Sequence, residues 1–457
     1  MNSYQMLVVF LIGGILQSCL ILWLKKPFAK LALSSVALLD TLLMQDKDVA
    51  FIEMLEKKMK SSIWDLLVFL TLTLLSIIPT IFLLYYPFGN SNSQSIWFYL
   101  IGSIIPFLWI SYFVKKQSDY SFLSQLIHRL VLNHYHLGLW LLKRQIRKTP
   151  TDKSTTQKSL IITGLARAGT TALTKTLYKN GDFSSLDYSN MPFLLYPRLW
   201  KYFYNPKNKE NKERAHKDGV KVGLSSVEAL EEYYFKVTSN DSYIRSEGLH
   251  VYSLDSNNWN DYIRYQNSIS HGKTYLAKNN NQILRLKSLT SENTNSFIFI
   301  LFRDPLEHAN SLLQQHKLFC SEQNKDPFVL EYMNWLGHHE FGLNAKPFIL
   351  NEKSHSSNYN KENLEYWLER WVDYYAYASQ LDKVNFIPYE YFLASPQNTL
   401  KAISLITNES INLDNLENFN KSKKEIDCLD SALQKEATTI YSDLMIKSKD
   451  TFKVLEP

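Results

Sequence analysis

Cysteine is scarce in this chain. Cys19, Cys320 and Cys428 are the three in 457 residues. They form neither a disulfide framework nor a metal-ligand spacing, and they fit a reducing compartment better than a secreted one. A strong charge of either sign is also missing. The formal net charge of +6 suits an anionic ligand or anionic lipid and is not the footprint of a nucleic-acid binder. Cleavable-leader features are missing too. The first apolar run is long for such a segment, has no basic residues before it, and is followed by Lys25-Lys26 rather than small residues.

What is present is a division. Residues 6–24, 66–86 and 96–114 are uncharged apolar runs, the last two interrupted by Pro79 and Pro106. At 1.5 Å per residue, about 19–21 residues cross a hydrocarbon core of ~30 Å. The loop 25–62 carries Lys25, Lys26, Lys30, Lys47, Lys57, Lys58 and Lys60, whereas 87–95 carries no charge. Basic residues resume at Lys115 and Lys116. This asymmetry predicts a multi-pass integral membrane protein with its N-terminus outside and its C-terminal domain in the cytoplasm. Residues 115–158 form an amphipathic, basic linker whose segment 120–148 reads as one or two helices. Lying on the bilayer surface and packing on the soluble domain are both open for it. Polar residues 149–158 mark a domain boundary, giving units at 1–114, 115–158 and 159–457.

From residue 159 onward, short apolar runs alternate with helical patterns. That predicts an α/β domain with a P-loop-like parallel sheet flanked by helices, preceded by the α-helical transmembrane region. The first strand, 160–163, leads into Gly164-Leu165-Ala166-Arg167-Ala168-Gly169-Thr170-Thr171 and then a helix carrying Ala172, Leu173 and Leu177. Strand, glycine-bounded loop and helix together aim backbone N–H groups at a phosphate. The glycine spacing is that of a Walker A loop, but its Lys is replaced by Thr170, and Arg167 is the nearest cation. An ordinary βα turn is the alternative. A second strand, 297–302, ends in Arg303-Asp304-Pro305, and a third candidate covers 384–388. Ligands of parallel sheets sit at the carboxyl ends of strands, so the glycine loop and Arg303 can share one crevice.

With these two motifs in order, the soluble part resembles the sulfotransferases that use 3′-phosphoadenosine 5′-phosphosulfate, in particular a bacterial branch. The likeness extends over most of residues 159–395. The family's 5′-phosphosulfate loop, often G-x-P-R-S-G-T-T, matches 164–171. Its strand-end Arg with a Ser eight residues on matches Arg303 and Ser311. Tyr389-Glu390-Tyr391 before Ser395-Pro396 is similar to a late Y-E-D segment, and Lys278 stands in a Lys-containing segment. The resemblance implies that Arg167 pairs with the phosphosulfate. Gly164, Ala168, Gly169, Thr170, Thr171 and Ala172 would surround the 5′-phosphate, Arg303 and Ser311 would hold the 3′-phosphate, and Tyr389 would line the nucleotide site. It implies no metal. For Arg303 the alternative is a structural salt bridge with Asp304 or another acid, and for Lys278 it is a solvated lysine.

The family's base is altered. Where cytosolic members have a His two residues after the Lys, this chain has Asn280, which takes no proton at neutral pH. Asp187, about twenty residues after the loop Arg, matches the acid of another branch. His216, Asp218, Glu228, Glu231 and Glu232 are rivals, and for at least two of these Glu residues a charged helix face is the expectation. His338-His339-Glu340 suits a core or acceptor-site role better than a metal site. The expected activity is sulfuryl transfer to a hydroxyl or amine of a membrane lipid, glycolipid or lipid-linked saccharide. A P-loop kinase or NTPase and a non-catalytic membrane scaffold are the competing classes. Residues 399–457 read as polar, helical and without chemistry.

Overall fold

The computed structural model describes residues 3–44, 47–88, 120–147, 149, 158–203, 212–213, 221–222, 230–292, 295–351, 359–414, 416 and 432–456. The chain forms two compact units, Met1–Leu137 and Gly138–Pro457. The division therefore falls inside the expected linker, while most of the polar boundary 149–158 lies outside the described residues.

The first unit is built on two long helices, α1 (Ser3–Leu42) and α2 (Val49–Phe88). They run antiparallel: Lys30 pairs with Asp65 at 2.9 Å, Ser35 meets Ser62, and Phe28 packs on Phe69. The expected loop 25–62 is thus mostly helix. Its Ala, Leu, Met, Glu and Lys residues are strong helix formers, and α1 runs to Leu42 while α2 starts at Val49. The turn-proximal end is tied to Leu137, whose backbone N–H donates to Asp40 at 2.8 Å. A third helix, α3 (Phe122–Leu132), buries Leu126, Val131 and Leu132. Leu66, Leu67, Leu70, Leu74 and Leu75 of α2 are exposed, as are Ile12 and Ile15 of α1. Among the described residues, one helical stretch, Val49–Ser76, is long and apolar enough to cross a membrane. The expected span 96–114 lies outside the described residues, as do many side chains of 6–24.

The next helix, α4 (Tyr135–Ile146), buries Leu141, Leu142 and Ile146. Gln145 donates to Ser268, and the Ile146 carbonyl accepts from Arg264. Of the two placements open for segment 120–148, residues 138–146 take packing within the second unit.

In the second unit, β1 (Ser159–Thr163) is followed by α5 (Thr170–Asn180) and β2 (Phe183–Ser184). Then come α6 (Glu232–Ser239), α7 (Ser256–Ser270), β3 (Thr274–Lys278), β4 (Ser296–Phe302), α8 (Pro305–Lys325), α9 (Leu364–Ala378) and β5 (Asn385–Pro388). Two further helices, α10 (Pro396–Thr407) and α11 (Ala432–Phe452), close the described chain. The five strands form one sheet in the order β2–β3–β1–β4–β5, and every pairing is parallel. The unit is an α/β fold with helices on the sheet. Strands β1 and β4 are apolar at consecutive positions because both faces are covered. Leu160, Ile162, Leu276, Phe299, Leu301 and Ile387 join Leu173 and Leu177 of α5 in one core.

Glu231 and Glu232 depart from the expected charged face. Both are buried, at 2% and 0% exposure. Glu232 accepts from Arg285, Tyr243 and Asn279, and Glu231 accepts from Tyr262 at 2.7 Å. Burial pushes the Glu231 carboxyl up to about 7. The Arg285 guanidinium also lies 3.7 Å from the centre of the Phe235 ring. Arg285→Met leaves Glu232 as a buried charge without its cation. The variant is expected to lose about 3–5 kcal/mol of stability, measured by denaturant unfolding of the second unit's tryptophan signal.

Candidate active site

The glycine loop is shaped by the strands beside it. β1 and β4 pair in register, Thr163 opposite Ile300, so the chain leaves β1 alongside the Leu301 carbonyl. A Cβ on Gly164, at φ +149°, would stand 2.5 Å from that oxygen, so any other residue would push the two strand ends apart. At the far end Gly169, at φ +94°, precedes α5. A Cβ there would meet the Tyr389 ring at 2.2 Å. Arg167 sits between them at φ +72°, a left-handed conformation uncommon outside glycine and found where structure around it imposes the strain.

The structure brings the two sequence motifs together. Arg167 Nε donates to Ser311 Oγ at 3.2 Å. Because β5 pairs with β4 through Phe302 and Pro388, the next residues, Arg303 and Tyr389, emerge side by side. The Arg303 guanidinium lies 5.4 Å from the Tyr389 ring centre, a cation–π contact. Arg303 does have an acidic partner, but it is Glu307 at 3.0 Å rather than Asp304. Asp304 instead caps α8 through the Glu307 N–H. Its own N–H donates to Glu390 at 3.0 Å, and Tyr441 of α11 donates to the same carboxylate. The C-terminal helix, expected to carry no chemistry, therefore supports the strand end that presents Arg303.

Other sequence candidates divide. Thr170 is buried, and its hydroxyl donates to Asn280 at 3.3 Å. Thr171 and Ala172 are half-buried on the first turn of α5, and Ala168 is fully buried. Lys278 ends β3 beside Ile162 of β1 and is 7% exposed, so it is not a solvated lysine. Asp187 caps the turn Tyr188–Asn190, accepting from the Ser189 N–H and hydroxyl. Burial pushes its carboxyl up against those bonds. Glu231 and Glu232 are held in the tyrosine-lined cluster described above. His216, Asp218 and Glu228 lie outside the described residues.

One residue was missed. His308, fully buried on α8, makes a 2.7 Å hydrogen bond through Nε2 to the Ala166 carbonyl in the centre of the loop. Burial, with Arg303 and Arg167 nearby, pulls its pKa down to about 3. The imidazole is neutral, and Nε2–H is the donor. Its one sequence signal is the three-residue step to Ser311, which puts both on one face of α8.

No family model matches the chain, and no curated protein matches it. Two solved structures are similar to it. The sulfotransferase STF1 from Mycobacterium tuberculosis H37Rv is 12% identical, with a TM-score of 0.35, covering 74% of this chain and 87% of its own. The sulfotransferase STF9 from Mycobacterium avium is 12% identical, with a TM-score of 0.34, covering 77% and 83%. The chain's own residues carry the functional reading.

The state of His308 makes acid a threat to the loop. An unfolded chain takes up the imidazole proton near pH 6.5, whereas the folded chain resists it to about 3. Between those values the unfolded state binds more protons, so stability is present above the window and falls as pH falls through it. His308→Gln keeps an N–H donor without a titrating group. Its loss of unfolding free energy between pH 7 and pH 4 should be about 3 kcal/mol smaller than that of the unaltered chain.

Proposed function

We propose that the chain transfers a sulfuryl group from 3′-phosphoadenosine 5′-phosphosulfate to a hydroxyl or amine of an acceptor held at a membrane. The contact between Arg167 and Ser311 carries this reading. It joins the glycine loop and the Arg303–Ser311 pair, two anion-binding elements of different strands, into one crevice at the carboxyl edge of the sheet. A donor with a 5′-phosphosulfate and a separate 3′-phosphate on one ribose needs two such elements close together, whereas a nucleoside triphosphate needs one. The residues fit that donor. Arg303 Nε is buried and has no hydrogen-bond partner among the described residues, and Gly169 carries no Cβ to push the Tyr389 ring away from the loop.

In this reading the backbone N–H groups of Gly169, Thr170, Thr171 and Ala172 bind the 5′-phosphate at the N-terminus of α5; Ala168, whose N–H closes the loop on the Leu165 carbonyl at 3.0 Å, shapes it, and Gly164 lets the loop approach. Arg303 and Ser311 take the 3′-phosphate, Glu307 giving way to the anion, and Tyr389 flanks the nucleoside. Arg167 and Lys278 meet the charge that builds on the equatorial oxygens and the leaving phosphate. Positioned cations of this kind supply most of the rate in such displacements. Asp187 is the acid that the family likeness offers as base. Its bonds to Ser189 favour a positioning role in the turn, worth about 1 kcal/mol as a cap.

The apolar, exposed faces of α1 and α2 support a membrane anchor, and residues 96–114 are proposed as a further span. The lysines of 25–62 and the basic residues after 114 put the catalytic unit in the cytoplasm. A lipid, glycolipid or lipid-linked saccharide is the acceptor class that makes an anchor useful. Protease added to intact cells should leave the second unit uncut.

Adenosine 3′,5′-bisphosphate is the direct probe of the site. The detergent-solubilised chain should bind it without metal. Arg303→Ala should weaken binding by about 1.5–3 kcal/mol, the worth of a charged hydrogen bond, in calorimetric titration. Arg167→Ala should abolish transfer of radiolabelled sulfuryl group to a membrane lipid extract. Retained transfer by that variant would overturn the site assignment.

A further inference from the structure

A cleft opens beside the glycine loop, against Leu165 and Ala166. Its inner part is a narrow cavity of about 30 Å³ bounded by Leu165, Ala166, Glu340, Phe348, Trp367 and Arg370. Through a common wall of Ala345, Lys346, Pro347, Tyr366 and Arg370 it adjoins an outer cavity of about 510 Å³. That size is in the range of small-molecule sites. The outer lining includes Glu247, Asn344, Tyr359, Asn360 and Lys361. Carboxylate, amide and phenol groups around open space suit a ligand rich in hydroxyls. An acyl chain would leave those groups without water or partners.

We infer that this cleft admits the hydroxylated head of the acceptor, a sugar or other polyol, and that Glu340 takes the proton from the hydroxyl that is sulfated. The assignment rests on the sulfuryl-transfer reading. Glu340 lines the same narrow cavity as Leu165 and Ala166, the residues just before Arg167. A hydroxyl placed there lies between a carboxylate and the loop. The Glu340 side chain is 8% exposed and lies 3.4 Å from His338 Nδ1. Burial works to raise its carboxyl, but His338, a backbone N–H and the Lys278 charge outweigh it, and the net effect is a lowered pKa. Glu340 is therefore ionised at neutral pH and able to accept. As the acceptor oxygen forms its bond to sulfur, its proton passes to a Glu340 oxygen. The bond from sulfur to the 5′-phosphate oxygen breaks, and that electron pair leaves on the bisphosphate beside Arg167. Glu340 then returns the proton to water.

The test uses the full chain in detergent, radiolabelled donor and a membrane lipid extract. Glu340→Gln should lower single-turnover transfer by about 10²–10⁴-fold, the usual worth of a positioned base, with unchanged affinity for adenosine 3′,5′-bisphosphate. Glu340→Asp should restore part of the rate. Treating the extract with periodate, which cleaves vicinal diols, should abolish labelling. A Glu340→Gln variant with full transfer, or one whose loss merely follows weakened bisphosphate binding, overturns the role of Glu340. Labelling that survives periodate overturns the polyol head. An unaltered chain that binds the bisphosphate but labels nothing overturns the inference as a whole. Failure of the unaltered chain to bind bisphosphate sinks the sulfuryl-transfer reading itself.

Discussion

The hydrogen bond from His308 to the Ala166 carbonyl is the contact on which the site depends. A loop that turns its N–H groups toward an anion turns carbonyls the other way, and a buried carbonyl must find a donor. The donor here is neutral, because burial between two arginines forbids a third charge. The same helix, α8, supplies His308 to the loop's inner side and Ser311 to Arg167. Loop and helix are thus fixed to each other at two points one turn apart. Around them, Gly164 lets β1 run close to β4 and Gly169 lets the Tyr389 ring close the far end. The left-handed Arg167 is the residue this scaffold holds in place.

The parallel sheet extends the same logic to the site's other parts. Lys278, Gly164, Arg303 and Tyr389 lie at or just past the carboxyl ends of four adjacent strands, β3, β1, β4 and β5. Parallel pairing puts those ends on one edge, so residues more than a hundred positions apart need no loop to gather them. The last described helix braces this edge through Tyr441 and Glu390.

Much of this was legible in the sequence. Strands β1 and β4 announce themselves as apolar runs because both faces are buried, and their last residues carried the two motifs. β3, written TYLAK, mixes polar and apolar residues and gives no such run, although all five positions are buried. The lysine-rich stretch after the first apolar run looked like a loop because charge was read as exposure at the chain's turn. The structure continues both helices through it, since lysine and glutamate on a helix surface disturb nothing. Glu231 and Glu232 misled in the opposite direction. A run of acids suggests water, and only the distant Arg285, Tyr243 and Tyr262 make their burial possible. His308 stayed hidden for the same reason, because its partner, the Ala166 carbonyl, is brought to it by the fold.

The tyrosines around those two acids set a limit of another kind. Tyr234, Tyr243, Tyr262, Tyr265 and Tyr275 are each shielded from water, and burial raises each phenol well above 10. Unfolding frees them to ionise near their ordinary value. Below pH 10 the two states hold these protons equally. Above it the unfolded chain sheds protons that the folded chain retains, and each phenol draws off about 1.4 kcal/mol per pH unit. Packing rings to seal a buried ion pair thus gives the fold an alkaline ceiling, steeper for every hydroxyl that the interior keeps dry.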